Sequence, residues 1–143
     1  MNTEHDIYLA GALFSEAERR WNLDLCRQLE GRGWRVFLPQ RDSQQPGEVA
    51  GSSERAEAIF QANLGGLKGC RVVVAVLEGA QVDDGTSWEV GFAYASGTPV
   101  FAIRTDFRGS GDDGALNLML SRSAHVCGSV SELLEAMESA RSR

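Results

Sequence analysis

This chain has no long hydrophobic run. The longest apolar stretch, Val72 to Leu77, falls far short of the roughly 20 residues that cross a bilayer, so no membrane partner is expected. Basic residues are sparse as well. Lys and Arg number 14 against 20 Asp and Glu, for a formal charge of −6, and they cluster only in short pairs such as Arg19-Arg20. That balance argues against duplex nucleic acid or any strongly polyanionic partner and leaves a small neutral ligand open. Only three cysteines occur, Cys26, Cys70 and Cys127, dispersed and odd in number. Neither a disulfide framework nor a zinc site fits that spacing. Cys26 on an apolar helix face and Cys127 in an apolar stretch read as small core residues in a reducing compartment, so a cytoplasmic protein is expected. The opening MNTEHDIYLA lacks a basic segment followed by an apolar core, so no signal peptide is expected. G-x-G-x-x-G and G-x-x-x-x-G-K-[ST] are both missing, which leaves NAD and ATP without motif support. His5 and His125 stand apart from every motif, and no Ser-His-Asp order or metal-ligand cluster stands out. There is no internal repeat and no low-complexity tail; residues 1–143 read as one domain.

What remains is an alternation of short β-like runs with helical stretches. "DIYLAGALF" opens as a strand and breaks at Gly11. Ser15-x-x-Glu18 is a capping box, followed by Trp21, Leu25 and Leu29 at helical spacing, with Gly31 or Gly33 available to end the helix. "WRVFLP" is a second strand, 40–53 a polar loop, and roughly 54–68 a second helix. "CRVVVAVL" is apolar throughout, as a strand buried on both faces is. "PVFAIR" and "AHVCG" supply two more strands. Helices are expected after Gly85, over 115–122 and over about 131–141. Five strands alternating with helices predict parallel pairing in a doubly wound, three-layer α/β sandwich. Ligands of such sheets bind outside the carboxyl ends of the strands. That nominates four loops: Gly11–Phe14, Pro39–Ser53, Glu78–Gly85 and Thr105–Gly114.

The third loop leads into "DDGTSWEVGFAYASGTPV", which places Asp83, Asp84 and Glu89 within seven residues. Two readings are open. Thr86-x-x-Glu89 has capping-box spacing, and the aspartates suit the positive end of a helix. The same group is also the equipment for breaking a glycosidic bond, one carboxylate as nucleophile and another to handle a proton. Gly85 and Gly91 would let the backbone approach ligand and sheet closely. In "IYLAG", Tyr8 is either a core aromatic or a hydroxyl within reach of a site carboxylate, and Gly11 can cradle a ligand. In "LNLMLS", Asn117 reads as a helix-end polar residue and Met119 as core, unless both face a ligand.

"IYLAGALF", "VFLPQRD", D-x-GTSWEVGFAYASGTPV and "NLM", in this order from residue 7 to about 120, resemble the nucleoside 2-deoxyribosyltransferases. The D-x-G-T-x-x-E-x-G element is fairly specific; the other pieces are individually weak. The resemblance implies a flavodoxin-like fold with a five-stranded parallel sheet, and transfer of 2-deoxyribose between nucleobases. Its substrates would be a deoxynucleoside and a free nucleobase, with no metal and no cofactor. It further implies Glu89 as the nucleophile that forms a covalent deoxyribosyl-enzyme. Asp83 would help protonate the departing base, and Tyr8 would orient the nucleophile. Asn117 and Met119 would reach the site of a neighbouring subunit, so the site requires at least a homodimer. Gln40 falls in the loop expected near the base.

Two positions depart from the pattern. Asn63 stands where relatives often carry an Asp near the base, and Arg71 where an Asp usually follows the Cys. An Asn still forms hydrogen bonds but cannot act as an acid. A related class hydrolyses (deoxy)nucleosides or their 5′-monophosphates, with an Arg and hydroxyl residues around the phosphate. Here Gly11-Ala12-Leu13-Phe14 carries no Arg and Asn117 is present, which favours a neutral 5′-hydroxyl. Three functions stay in play: deoxyribosyl transfer, N-glycoside hydrolysis, and non-catalytic nucleoside binding.

Overall fold

The structure, a computed structural model, describes residues 4–43, 52–108 and 116–142. Five strands form one parallel sheet: β1 (Ile7–Ala10), β2 (Val36–Phe37), β3 (Val72–Val76), β4 (Val100–Ile103) and β5 (His125–Cys127). Between and after them run α1 (Glu16–Gly31), α2 (Pro39–Asp42), α3 (Ser52–Gly69), α4 (Asp84–Ala95), α5 (Leu118–Ser123) and α6 (Val130–Arg141). The spatial order β2-β1-β3-β4-β5 is the flavodoxin-like one, with its switch point between β1 and β3, where a crevice opens at the strands' carboxyl ends.

The period of two along each strand sorts the core into two layers. Ile7, Leu9, Val36, Val72, Val74 and Val76 pack with Leu25 and Leu29 of α1 and Leu133 and Met137 of α6. Tyr8, Ala10, Phe37, Val73, Ala75 and Ala102 face the other way, onto Leu67 of α3, Val90 and Ala93 of α4 and Leu120 of α5. All five residues of β3 are buried, which is why that stretch shows no apolar–polar alternation. The cysteines are free and buried. Among the described residues no helix is long and apolar enough to cross a membrane.

Local signals set most boundaries. Ser15 Oγ accepts from Glu18 N at 3.1 Å, and Glu18 Oε1 accepts from Ser15 N at 2.7 Å, so the capping box starts α1 as expected. Of the two candidate terminators, Gly31 is still helical and Gly33 makes the turn, at φ 90°. The second strand is much shorter than "WRVFLP", because Pro39 opens α2 instead of merely stopping β2. Pro suits the first helical position, where its missing N–H costs nothing. The expected loop 40–53 therefore begins as helix; residues 44–51 of it, and 109–115 of the loop after β4, lie outside the described residues.

Gly66 carries a constraint that its surroundings in the sequence do not reveal. A Cβ there would sit 2.9 Å from Phe37 Cγ. The Phe37 ring cannot yield, because it stacks on Tyr8 with centroids 5.4 Å apart. Gly66→Ala should destabilise the fold by about 1–3 kcal/mol through overpacking, read as a lower thermal midpoint, while Gly65→Ala, with open space around it, should not. Arg71 also finds its place here. It lies at the amino end of β3, 69% exposed and 4.0 Å from Asp6, at the opposite end of the sheet from the crevice, so its departure from the family pattern leaves the site untouched.

Candidate active site

Helix α4 begins earlier than the capping-box spacing suggested. Its N-cap is Asp83, whose Oδ2 accepts from Thr86 N and from Thr86 Oγ1, each at 2.9 Å. Thr86 is therefore inside the helix, and Glu89 lies in the second turn, out of reach of any cap N–H. An Asp at the N-cap satisfies an orphan N–H of the first turn, here Thr86 N, as a Thr would at its own N3, and its charge suits the helix end better. The capping reading of Glu89 is overturned.

Glu89 lies three residues after Thr86 and four before Ala93, both buried against the sheet. That spacing puts it on the inward stripe of α4. Tyr8 points to the same side from β1, and its hydroxyl donates a hydrogen bond to Glu89 Oε2. The two readings of Tyr8 thus merge: the ring is fully buried and the hydroxyl meets a site carboxylate. Burial pushes the Glu89 carboxyl up from its usual 4.5 to about 7; the Tyr8 hydrogen bond pulls it down and the neighbouring Asp83 charge raises it. Burial and the adjacent Glu89 push the Tyr8 phenol up, so it stays a proton donor.

Both residues line a cavity of about 560 Å³ at the β1–β3 crevice. Gly11, Asn63, Asp83, Asp84 and Gly85 line it too. Gly11 sits against its neighbours: a Cβ there would lie 3.2 Å from both Val76 Cβ and Asn22 Oδ1. A Cβ at Gly85 would come within 3.3 Å of Asp83 Oδ2, whereas Gly91 has open space around it and needs no glycine. Asn63 Oδ1 is buried without a partner. Asp83 Oδ1 takes no hydrogen bond among the described residues, while Asp84 Oδ1 accepts from Gly85 N at 2.8 Å.

Three sequence-predicted residues fall elsewhere. Gln40 is not in the cavity wall; its amide donates to Arg19 O at 2.8 Å and accepts from Asn22 Nδ2 at 3.3 Å, tying α2 to α1. Residue 40 lies in helix α2 and not in the expected loop, which turns its side chain back onto α1. Asn117 caps α5, its Oδ1 accepting from Met119 N at 2.9 Å. Met119 is 73% exposed, so the core reading of it fails. Asn117 and Met119 line a separate hollow together with Tyr94 and Gln81, away from Glu89 of the same chain.

Sequence reasoning missed the aromatic lip. Phe14, Phe60 and Trp88 all line the cavity and remain 75%, 48% and 53% exposed. Phe60 and Trp88 lie 6.3 Å apart, and Trp88 stacks on Phe92 at 5.5 Å. Phe14 after β1 and Trp88 just past the 78–85 loop were the available signal; Phe60, in the middle of α3, gave none. It also missed Arg104, which donates to Leu77 O at 2.7 Å and Gly79 O at 2.9 Å and so steadies the loop that carries Asp83.

Comparisons with known proteins show the same fold. A conserved protein from Enterococcus faecalis V583 superposes with TM-score 0.78 at 29% identity, over 95% of this chain and 98% of that one. The 2-deoxyribosyltransferase of Bacillus psychrosaccharolyticus superposes with TM-score 0.77 at 27% identity, over 90% of this chain and 89% of that one. A CMP N-glycosidase from Clostridium botulinum shares the fold at 21% identity and TM-score 0.54, over 93% and 97% of the two chains. No curated protein sequence matches significantly. The family model for nucleoside 2-deoxyribosyltransferases matches residues 7–127, from the first residue of β1 to the last of β5, and the chain belongs to that family.

Proposed function

We propose that this protein moves 2-deoxyribose from one nucleobase to another through a covalent deoxyribosyl ester on Glu89. The observation that carries the reading is the pair Tyr8–Glu89: a half-buried carboxylate at a sheet switch point, held by a phenol, in a cavity rimmed by aromatics. The rings of Phe14, Phe60 and Trp88 suit the flat faces of a base. With Tyr8 donating to Oε2, Oε1 is the atom free to attack the anomeric carbon. The C1′–O bond forms as the C1′–N bond breaks, and the base leaves with the electron pair. A proton from solvent reaches it by way of Asp83, whose Oδ1, the oxygen not used in capping the helix, relays it. A second base then attacks C1′ from the vacated side and releases Glu89. Two inversions give net retention, as in retaining glycosidases.

Incubating deoxyinosine with adenine, followed by chromatography, tests this directly. Deoxyadenosine of retained configuration is the expected product. Free deoxyribose forming at the same rate with or without adenine would instead mark a hydrolase. Ligand-induced thermal stabilisation without turnover would mark a binding module. The Tyr8 contact adds a pH signature. Exchange should rise with pH through about 7 as Glu89 ionises. Tyr8→Phe removes the group that lowers its pKa, so the rising limb should move to higher pH. The rate at pH 6.5 should fall about tenfold, the worth of one hydrogen bond to a charged group.

We further propose that Asn117 and Met119 complete the site of a second copy. Their exposure, with Leu118 at 63%, and their place outside the wall of the cavity that holds the chain's own Glu89 support this. Mixing Glu89→Ala with Asn117→Ala, each inactive alone, should restore about a quarter of the wild-type activity after subunit exchange, since one site in four is then intact. No recovery under conditions that demonstrably exchange subunits would refute site sharing.

A further inference from the structure

Four residues, Gly11 to Phe14, join β1 to the N-cap of α1. Leu13 and Phe14 line the cavity that holds Glu89. The other two rings of the lip brace each other: Phe60 meets Trp88, and Trp88 stacks on Phe92. Phe14 pairs with no ring of the described residues and stands exposed, so its place is set by its backbone. That backbone is held from α1. Asn22 Nδ2 donates to Ala12 O at 2.9 Å; Arg19 Nη1 donates to Leu13 O at 3.1 Å and to Phe14 O at 3.0 Å. Residues three apart share a helix face, and from that face the two side chains take three consecutive loop carbonyls. Gln40 braces both, accepting from Asn22 Nδ2 at 3.3 Å and donating to Arg19 O at 2.8 Å. Arg20 pairs with Glu16, whereas Arg19 pairs with no carboxylate of the described residues. Its guanidinium is given over to the loop.

We propose that Arg19 is a positioning residue for the nucleobase. It does not line the cavity; it acts through Phe14, whose ring it presents as a preformed wall. The inference rests on the reading above, in which a base occupies the aromatic-rimmed cavity. The two carbonyls that Arg19 holds belong to the peptide planes on either side of the Phe14 Cα. Peptide units are rigid, so one nitrogen fixes both planes and with them the direction of the Phe14 side chain. A hydrogen bond from a charged donor is about twice as strong as a neutral one. Without that hold, the loop has to be ordered each time a base binds, at a cost in affinity. A wall offered equally to ground state and transition state changes KM and leaves kcat alone. Asn22 is buried, so a substitution there disturbs the core as well. Arg19 is exposed, and its hold on the loop is separable from the fold.

Arg19→Met keeps the aliphatic stem and a good helix former and removes the donors. In exchange between deoxyinosine and adenine, KM for both substrates should rise about tenfold, the worth of hydrogen bonds from a charged group. The same variant should keep kcat within about twofold and the thermal midpoint within about 3 °C. Arg19→Lys, which keeps a charged donor on a flexible stem, should recover most of the loss. Phe14→Ala should raise KM at least as far by itself, and in that background Arg19→Met should add less than about twofold. General support of the fold would not vanish with one exposed ring. An Arg19→Met effect that persists in full without the Phe14 ring would overturn the proposal. So would a normal KM for Arg19→Met or for Phe14→Ala, or a loss confined to kcat. A wild type that exchanges no bases would fall on the transferase reading instead. The dissociation constant for deoxyinosine, read from tryptophan fluorescence, then replaces KM across wild type, single variants and double variant. The same pattern is expected, and a wild type that bound no deoxyinosine would overturn the role of Arg19 as well.

Discussion

Glu89→Gln should abolish base exchange and, at alkaline pH, raise the stability of the fold. The amide is nearly isosteric with the carboxylate and its oxygen can still accept from Tyr8, but it is a far weaker nucleophile. A fall in kcat of about a thousandfold or more is expected, since removing a nucleophile removes the reaction path and not merely one contact. The stability effect follows from the raised pKa. In the unfolded chain Glu89 ionises at its usual 4.5; in the fold it ionises at about 7. The fold therefore favours the protonated form. That stabilising contribution is complete below pH 4.5 and is lost as pH rises through 7. The interval between the two values corresponds to about 3 kcal/mol above pH 8, which the neutral Gln does not forfeit. The thermal midpoint of Glu89→Gln should exceed that of the wild type by roughly 10 °C at pH 8.5 and by much less at pH 5. An inactive variant with no pH-dependent gain would mean that Glu89 is already ionised at no cost in the fold. A variant that exchanged bases at the normal rate would remove Glu89 as nucleophile.

The same residue shows how far local sequence patterns carry. Thr86-x-x-Glu89 matched a capping box, yet Asp83 starts the helix three residues sooner. Each choice satisfies one donor locally, Thr86 N with Asp83 as the cap and Glu89 N with Thr86 as the cap, and what separates them is tertiary. Starting at Asp83 puts Thr86, Val90 and Ala93 against the sheet and brings Glu89 to Tyr8, a contact 81 positions away in sequence. The sheet itself was legible, because buried parallel strands need unbroken apolar runs and β3 has one. The fate of Gln40 was not, because it depended on Pro39 opening a helix whose side chains turn back onto α1. Tyr8 could be assigned to core or site but not to both, since the sequence does not say that a ring can fill the core while its hydroxyl reaches the cavity. Met119 read as core because methionine usually is. Its exposure has its proposed reason in a second copy, which a single chain's pattern does not contain.

Asn63→Asp should speed exchange. The base leaves as an anion unless it is protonated, and Asn63, in the cavity wall with a buried, unpartnered Oδ1, has no proton to give. An Asp at 63 would stand in an apolar cavity already holding Glu89 and Asp83. Burial and two like charges disfavour a further anion, so its carboxyl would stay protonated near neutral pH, which is the state a general acid needs. Well-placed general acids contribute about a hundredfold or more. An increase in kcat of ten- to a hundredfold is expected, together with a new falling limb at alkaline pH that the wild type lacks. Asp83→Asn sharpens the test, because Asn also caps helices well and so removes the proposed acid without unwinding α4. Asp83→Asn alone should slow exchange, and adding Asn63→Asp should restore it. A drop in activity for Asn63→Asp, with binding of the base weakened, would mean that the amide itself holds the base and that Asp83 supplies the proton without need of help.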